Sequence, residues 1–330
     1  MTPGAKRKQV VTLCGGIGGA KLALGLLRVL APGELTVIVN TGDDFEHLGL
    51  HISPDVDTVV YTLSGLADSV RGWGRAHETW NFMRELAQAG GETWFSLGDR
   101  DLAMHASRTG FLRDGGTLSA FTRRVARRLG IPAQIIPMSD NAVRTIVRTD
   151  EGDLPFQHYF VRRRCEPVVK AIRFDGARSA IPAPGVLESL ADPDLRAVII
   201  CPSNPYLSVD PILSVPGMRE ALAQSRAPVI AVSPIIGGQA VKGPTAKIMH
   251  ELALSVTTTT IANHYRGLMH ALVIDRTDGA DAEGVGKPVL VTRTMMKDLA
   301  DRERLARAVL DFADDLRQVF SENERVSAGA

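Results

Sequence analysis

The sequence predicts an α/β fold with a mostly parallel sheet, and three observations carry that reading. Residues 9–13, "QVVTL", form an apolar run followed by a glycine cluster and then by Leu22, Leu26, Leu27 and Leu30 at helical spacing. A second apolar run, "ELTVIVN", completes a strand–helix–strand unit, whose crossover is right-handed in parallel sheets. Further uninterrupted apolar runs, the pattern of strands covered on both faces, recur late in the chain.

Taken in order, the first strand and helix enclose Gly15, Gly16, Gly18 and Gly19, with Lys21 in the expected first turn. After the second strand comes the acidic stretch "NTGDDFEHLGLHISPDVDT", leading into an apolar segment "TVVYTL" for which Asp57 is a candidate N-cap. "RGWGRAHETWNF" carries Trp73 and Trp80 among polar residues, a hinge or core element on one reading and a platform for an aromatic ligand on the other. Leu118, Phe121, Val125 and Leu129 share one helix face. Arg123, Arg124, Arg127 and Arg128 share another, which reads as a solvated face or as a surface for a partner or phosphate. "VRTIVRTDEGDLPFQHYFVRR" reads as an antiparallel hairpin turning at Glu-Gly-Asp, and "KAIRF" joins it in a small inserted subdomain. Strands follow in "AVIICP" (197–202), "PVIAVSP" (228–234), "MHALVID" (269–275) and "PVLVT" near Val289. A helix over 298–316 places Leu305, Val309, Phe312 and Leu316 on one stripe against the sheet. The expected division is a core of 9–110 and 195–318, a smaller helical and hairpin region of 111–194, and a flexible tail of 319–330.

Composition narrows the function classes. In 330 residues, 45% hydrophobic and 23% charged, there is enough apolar matter for one large core or roughly two domain-sized units. A net charge of +1 gives no global field toward nucleic acid or membrane. Cys14, Cys165 and Cys201 are scattered and odd in number, neither a disulfide framework nor a metal cluster. The opening "MTPGAKRKQVVTLCGG" breaks at glycine too early for a signal peptide. No apolar run is long enough to span a bilayer, and a reduced, cytoplasmic setting is expected.

The glycine cluster matches neither standard phosphate loop. Gly16 and Gly18 fit the first two glycines of a dinucleotide fingerprint, but Lys21 stands at the third, and the second strand ends in Asn40 rather than an acid. Glycines at a strand-to-helix turn still expose backbone N–H groups at a helix N-terminus, a ready anion site, and Lys21 adds charge there. Close packing of helix on strand is the competing explanation. Asp43, Asp44, Asp55 and Asp57 collect at the C-terminal end of a parallel strand, where open α/β sheets bind ligands. Such a group repels itself unless a cation is present, and magnesium, bound by carboxylates together with substrate phosphates, is the natural choice. In "SLGDRDLAMH", Arg100 between Asp99 and Asp101 is either a surface ion pair or an arginine held to clamp a phosphate or an aromatic ring edge. "CPSNPYLS" offers Ser203 and Asn204, and "SPIIGGQAVKGPTAK" offers Gly237, Gly238, Lys242, Gly243 and Lys247 at later strand ends. Together these loops point to a nucleotide or polyphosphate site.

The ordered set "GGIGGAK", "VNTGDDFEHLGLHISPDVDT", "RGWG…ETW", "LGDRDLAMH", "IIPMSDN", "CPSNPYLSVDPIL" and "SPIIGGQAVKGPTAK" resembles the CofD family, called FbiA in actinobacteria, from about Val10 to Asp275. The resemblance implies a Rossmann-like three-layer α/β/α core with a smaller inserted α+β region and, typically, a homodimer. It implies a magnesium-dependent transferase in coenzyme F(420) biosynthesis. Such an enzyme joins the deazaflavin Fo to a three-carbon acid activated by guanosine diphosphate: 2-phospholactyl, phosphoenolpyruvyl or 3-phosphoglyceryl. The 5′-hydroxyl of Fo attacks the β-phosphorus and GMP leaves. Under this resemblance Asp57, with Asp55 second, is the proton acceptor, and Asp57 and Arg100 contact the deazaflavin. Asp43, Asp44, Asp55 and Asp57 supply the magnesium ligands. Gly15, Gly16, Gly18, Gly19, Lys21, Asn40, Ser203, Asn204, Gly237, Gly238 and Lys247 face the nucleotide and phosphates. The alternative is a YvcK-like regulator that binds a sugar nucleotide and transfers nothing. A nicotinamide-dependent oxidoreductase is disfavoured by the missing third glycine and the missing acid.

Overall fold

The computed structural model describes residues 8–241 and 243–328, the side chains from 321 onward excepted. Seven parallel strands form the central sheet: β1 (Gln9–Cys14), β2 (Leu35–Val39), β3 (Gln134–Pro137), β4 (Leu195–Ile200), β5 (Val229–Val232), β6 (Ala271–Asp275) and β7 (Val289–Thr292). Their spatial order is β7-β6-β5-β4-β1-β2-β3. The order reverses at β1, so the connections leaving β1 and β4 diverge and open a crevice at their C-terminal ends.

Both faces of the sheet are covered, which is why its strands read as continuous apolar runs. Val11, Leu13, Val198, Ile200, Val229 and Ala231 enter one core. Their neighbours Val10, Cys14, Ala197, Ile199, Ile230 and Val232 enter the other. The second core is closed by helices α1 (Gly16–Val29), α2 (Pro54–Leu63) and α5 (Leu299–Ala328), giving three layers. Gly25 makes the α1–α5 crossing possible, since a Cβ there would lie 2.2 Å from the Arg302 carbonyl oxygen.

Several boundaries differ from the sequence expectation. Helix α1 begins at Gly16 and runs through the glycines, so Lys21 sits in its second turn. Helix α2 begins at Pro54 behind Ser53 and takes Asp55 and Asp57 into its first turn, where acids favour the helix dipole; Asp57 is therefore not an N-cap. The hairpin's second strand stops at Pro155, and a helical turn follows at His158–Arg162. "KAIRF" does join it: strands Gly152–Pro155, Arg144–Thr149 and Val169–Asp175 form a three-stranded antiparallel sheet. Residues 134–137, assigned from sequence to the smaller region, form β3 at the edge of the main sheet. Helix α5 continues to Ala328, through most of the segment expected as a tail. Two more helices complete the frame of the site: α3 (Asp99–Arg113) and α4 (Leu118–Arg128).

Candidate active site

A cleft of about 730 Å³ opens over the C-terminal ends of the strands. Its floor includes Gly15, Gly16, Gly18, Lys21, Asp43, Asp55, Asp57, Ser203 and Asn204, while Trp73, Trp94, Phe95, Phe156 and Phe160 supply an aromatic side.

The glycines answer to several demands at once. A Cβ on Gly15 would lie 2.6 Å from Ser208 Cβ and 2.7 Å from Asp55 Oδ2, so only glycine lets that carboxylate approach the loop. Gly16 has φ +63°, a conformation that favours glycine, and its backbone amide donates to Asp55. The helix N-terminus thus already holds a carboxylate of its own chain. A Cβ on Gly18 would meet the Pro202 carbonyl oxygen at 2.4 Å, and one on Gly19 would meet Ser203 Oγ at 2.5 Å and Cys14 Sγ at 2.8 Å. Gly19 does not line the cleft. Gly18 and Gly19 therefore set the contact of α1 with the loop after β4, and Gly15 and Gly16 shape the cleft floor. Lys21 lines the cleft and donates from Nζ to the Met296 carbonyl at 3.1 Å.

Asn40 is fully buried beneath the floor. Its Nδ2 donates to Asp55 Oδ2 at 2.9 Å and to the Leu207 carbonyl at 3.3 Å, and its Oδ1 accepts from the Gly42 amide at 2.7 Å. It aims Asp55 and does not line the cleft. Ser203 Oγ donates to the Gly15 carbonyl at 2.7 Å, tying the two loops together. Asn204 Oδ1 accepts from the amides of Tyr206 and Leu207, which leaves its buried Nδ2 without a hydrogen-bond partner among the described residues.

Four carboxylates are buried within this short segment: Asp43, Asp44, Asp55 and Asp57. Asp44 is turned inward, accepting from Ser53 Oγ at 2.7 Å and facing His51 Nε2 at 3.3 Å. The other three face the cleft. Burial, reinforced by Asp55, pushes the Asp43 carboxyl well above the usual range. Burial raises Asp55 to about 6 against hydrogen bonds from Asn40 and Gly16, with Asp44 adding to the rise. Asp57 is also raised by burial, although the charges of Arg108 and His105 oppose the shift. Asp43 Oδ1 and Asp57 Oδ2 are buried with no hydrogen-bond partner among the described residues. Asp43 Oδ1, in that state and in the field of Asp55, fits a hard divalent cation, whose charge would remove the cost of holding carboxylates together away from water.

Sequence reasoning missed Arg108, the principal partner of Asp57. Its buried guanidinium is ion-paired with Asp57 Oδ1, donates to the His51 carbonyl at 3.2 Å and lies over the Phe121 ring. A readable signal existed, because Asp101, His105 and Arg108 recur at i, i+4 and i+7 and so share one face of α3. Arg100 is exposed and does not line the cleft. The acids beside it do not grip it. Asp99 accepts from Thr79 Oγ1 and from the amides of Asn81 and Phe82, and Asp101 accepts from the Tyr61 hydroxyl. Lys247 also stands away from the cleft, with Nζ 2.5 Å from Glu251 Oε1 and donating to the Pro167 carbonyl at 2.9 Å. The amides of Gly237 and Gly238 are taken by Asp278 at 2.9 and 3.0 Å, and neither residue lines the cleft, whereas Gly243 does. Lys242 lies outside the described residues.

Of the two tryptophans singled out, Trp73 lines the cleft and Trp80 does not; the Arg71 guanidinium lies 5.1 Å and 4.6 Å from their ring centres. Trp94, unremarked in the sequence, lines the cleft and sits in an aromatic group with Phe45, His47, Phe95 and His158.

Comparison with known proteins agrees with this geometry. Residues 10–286 match the family model for the 2-phospho-L-lactate transferase CofD. A phosphoenolpyruvate transferase of Streptomyces coelicolor is 40% identical over 319 residues, covering 94% of this chain and 99% of that one. A 2-phospho-L-lactate transferase of Methanosarcina mazei is 38% identical, covering 91% and 99%. Among solved structures, a UPF0052 family member from Bacillus halodurans superposes with a TM-score of 0.64 at 18% identity, over 93% of this chain and 100% of its own, which speaks for the fold alone. With the family model spanning most of the chain and relatives of this identity matched nearly end to end, the chain belongs to the CofD family of phosphoenolpyruvate and 2-phospho-L-lactate transferases.

Proposed function

We propose that the protein transfers a phospho-three-carbon-acid group from its guanosine-diphosphate-activated form to the 5′-hydroxyl of the deazaflavin Fo, releasing GMP, in coenzyme F(420) biosynthesis. The observation that carries this reading is the cleft itself. Buried carboxylates and glycines at the sheet's switch point line the same cleft as the rings of Trp73, Trp94 and Phe95. The floor suits a diphosphate with its counter-cation, and the aromatic side suits a flat ring system.

In the transfer, the 5′-oxygen of Fo bonds to the β-phosphorus and the bond from that phosphorus to the bridging oxygen breaks. The electron pair leaves with GMP, and the hydroxyl proton passes to Asp57, whose raised carboxyl is suited to accept it. Lys21 offsets charge on the phosphates, and the amides around Gly15 and Gly16 border the same space. Asp43 and Asp55 are the residues that would hold magnesium, with Asp44 supporting them from behind. When bound, the cation neutralises phosphate charge, which is most of what phosphoryl transfer asks of a protein. A homodimer and a cytoplasmic setting belong to the same reading.

The relatives' names divide between two acids at nearly equal identity, 40% and 38%, so the donor is decided by assay. The protein is incubated with Fo, magnesium and, in turn, the phosphoenolpyruvate, 2-phospholactate and 3-phosphoglycerate derivatives of guanosine diphosphate. GMP release that requires Fo with at least one donor is expected. Release with none, or release independent of Fo, overturns the reading.

A further inference from the structure

Behind Asp57 runs a buried polar chain to which the transfer as described gives no part. His105, on α3, is 2% exposed and lines the inner end of the cleft. Its Nδ1 lies 3.6 Å from Asp57 Oδ2, the oxygen that lacks a hydrogen bond, and its Nε2 lies 3.5 Å from Asp101 Oδ1. Asp101 Oδ1 in turn accepts the Tyr61 hydroxyl at 2.5 Å. Tyr61 stands on α2 one turn beyond Asp57, so the chain leaves α2 at Asp57, crosses α3 and returns. Arg108 takes the other oxygen of Asp57. Asp57 is thus addressed at both oxygens by one face of α3.

The two imidazole nitrogens face two different carboxylates. A single metal ion can bind only one of those nitrogens, and the Arg108 guanidinium on Asp57 opposes a second cation at the same place. The arrangement is that of a ring bridging two acids. Both contacts lie just beyond ordinary hydrogen-bond length, the slack common in a site before substrate arrives.

We propose that His105 is a positioning residue: it orients Asp57 Oδ2 toward the acceptor hydroxyl, and Asp101 and Tyr61 hold the imidazole ring in place. The inference rests on the transfer reading above, in which Asp57 takes the hydroxyl proton. Misplacing a reacting group by about 1 Å costs on the order of 100-fold in rate, so the effect belongs in kcat rather than in substrate binding.

The amide nitrogen of asparagine occupies the place of a histidine Nδ1, and that of glutamine the place of Nε2. His105→Asn therefore keeps a donor toward Asp57, while His105→Gln keeps one only toward Asp101. The test measures kcat and KM for Fo and for the donor found active, with melting temperature, in His105→Ala, His105→Gln and His105→Asn. In Ala and Gln, kcat should fall about 100-fold with both KM values within about threefold of wild type. His105→Asn should recover at least a tenth of the wild-type kcat. Wild-type kcat in His105→Ala, a loss confined to KM, or equal losses in all three variants that track their melting temperatures would each overturn the positioning role. Wild type that transfers with no donor would overturn the underlying reading and this one with it, an outcome recognisable because it appears before any variant is made.

Discussion

Asp57→Asn removes a charge from a buried pair as well as the proposed proton acceptor from the cleft. Arg108 is 1% exposed and has its ionic partner in Asp57, so the variant leaves a guanidinium with only neutral acceptors inside the protein. Breaking a buried pair from one side costs about 3–5 kcal/mol, and asparagine, still able to accept a hydrogen bond, should hold the loss near the lower end. Transfer should fall about 100-fold to 10,000-fold, the range that general-base catalysis supplies. Urea denaturation alongside the transfer assay separates the two effects. Wild-type turnover would remove Asp57 from the chemistry, and unchanged stability would show Arg108 to be satisfied elsewhere. At this scale the sequence was informative about residues that cluster locally. Asp43, Asp55 and Asp57 lie within one loop and the helix start after it, and their crowding is visible without a structure. Arg108 and His105 escaped because their role depends on α3 packing beside α2, a contact that local spacing does not encode. Arg100 drew attention through its flanking acids, but those acids cap backbone amides and bind Tyr61 instead.

Helix α1 shows what a glycine cluster does as an element. It resembled a damaged nucleotide fingerprint because glycines signal close approach without saying to what. Here they serve several approaches, to the loop after β4, to Asp55 and to the cleft, and the helix runs through them rather than starting after them. Gly18→Ala would place a methyl group 2.4 Å from the Pro202 carbonyl oxygen, a backbone atom that cannot swing aside. Helix and loop must separate, at a cost of about 1–3 kcal/mol. Because Gly18 lines the cleft while Ser203 ties the same two loops together, weaker donor binding should accompany the lost stability. Chemical denaturation and the KM for the donor measure the pair of effects, and an alanine variant of wild-type stability would contradict the packing role. Strands were legible for a related reason. A strand buried on both faces must be apolar throughout, and "AVIICP" or "PVIAVSP" could hardly be anything else. The edge strand β3 has only four residues, one of them Pro137, and it emerged only when its pairing with β2 was seen.

For the molecule as a whole, protonation and the proposed cation binding are alternative answers to the electrostatic problem that the carboxylate floor poses. The Asp55 carboxyl is raised to about 6 by burial, whereas in the unfolded chain it titrates near 4. The folded protein therefore holds this proton more tightly than the unfolded chain does. Below about pH 4 both states are protonated and the group costs nothing; as pH rises through 6 the ionised carboxylate comes to cost folding about 3 kcal/mol. Asp43 is displaced in the same direction and adds to the trend. A divalent cation held by ionised Asp43 and Asp55, as proposed, would offset that cost and compete with protons for the same oxygens. Without magnesium, the melting temperature should therefore fall between pH 5 and pH 8, with Asp55 contributing about 2 °C in a chain of this size. Saturating magnesium should raise it substantially at pH 8 and little at pH 5. Asp55→Asn supplies the control, because it should flatten the pH dependence of the cation-free protein and shrink the magnesium effect together. Were the variant to keep the wild-type slope, the titrating groups would lie elsewhere. Were it to lose the slope but keep the full magnesium response, Asp55 would be a buried acid without being a cation ligand, and the metal would belong to Asp43 and its other neighbours.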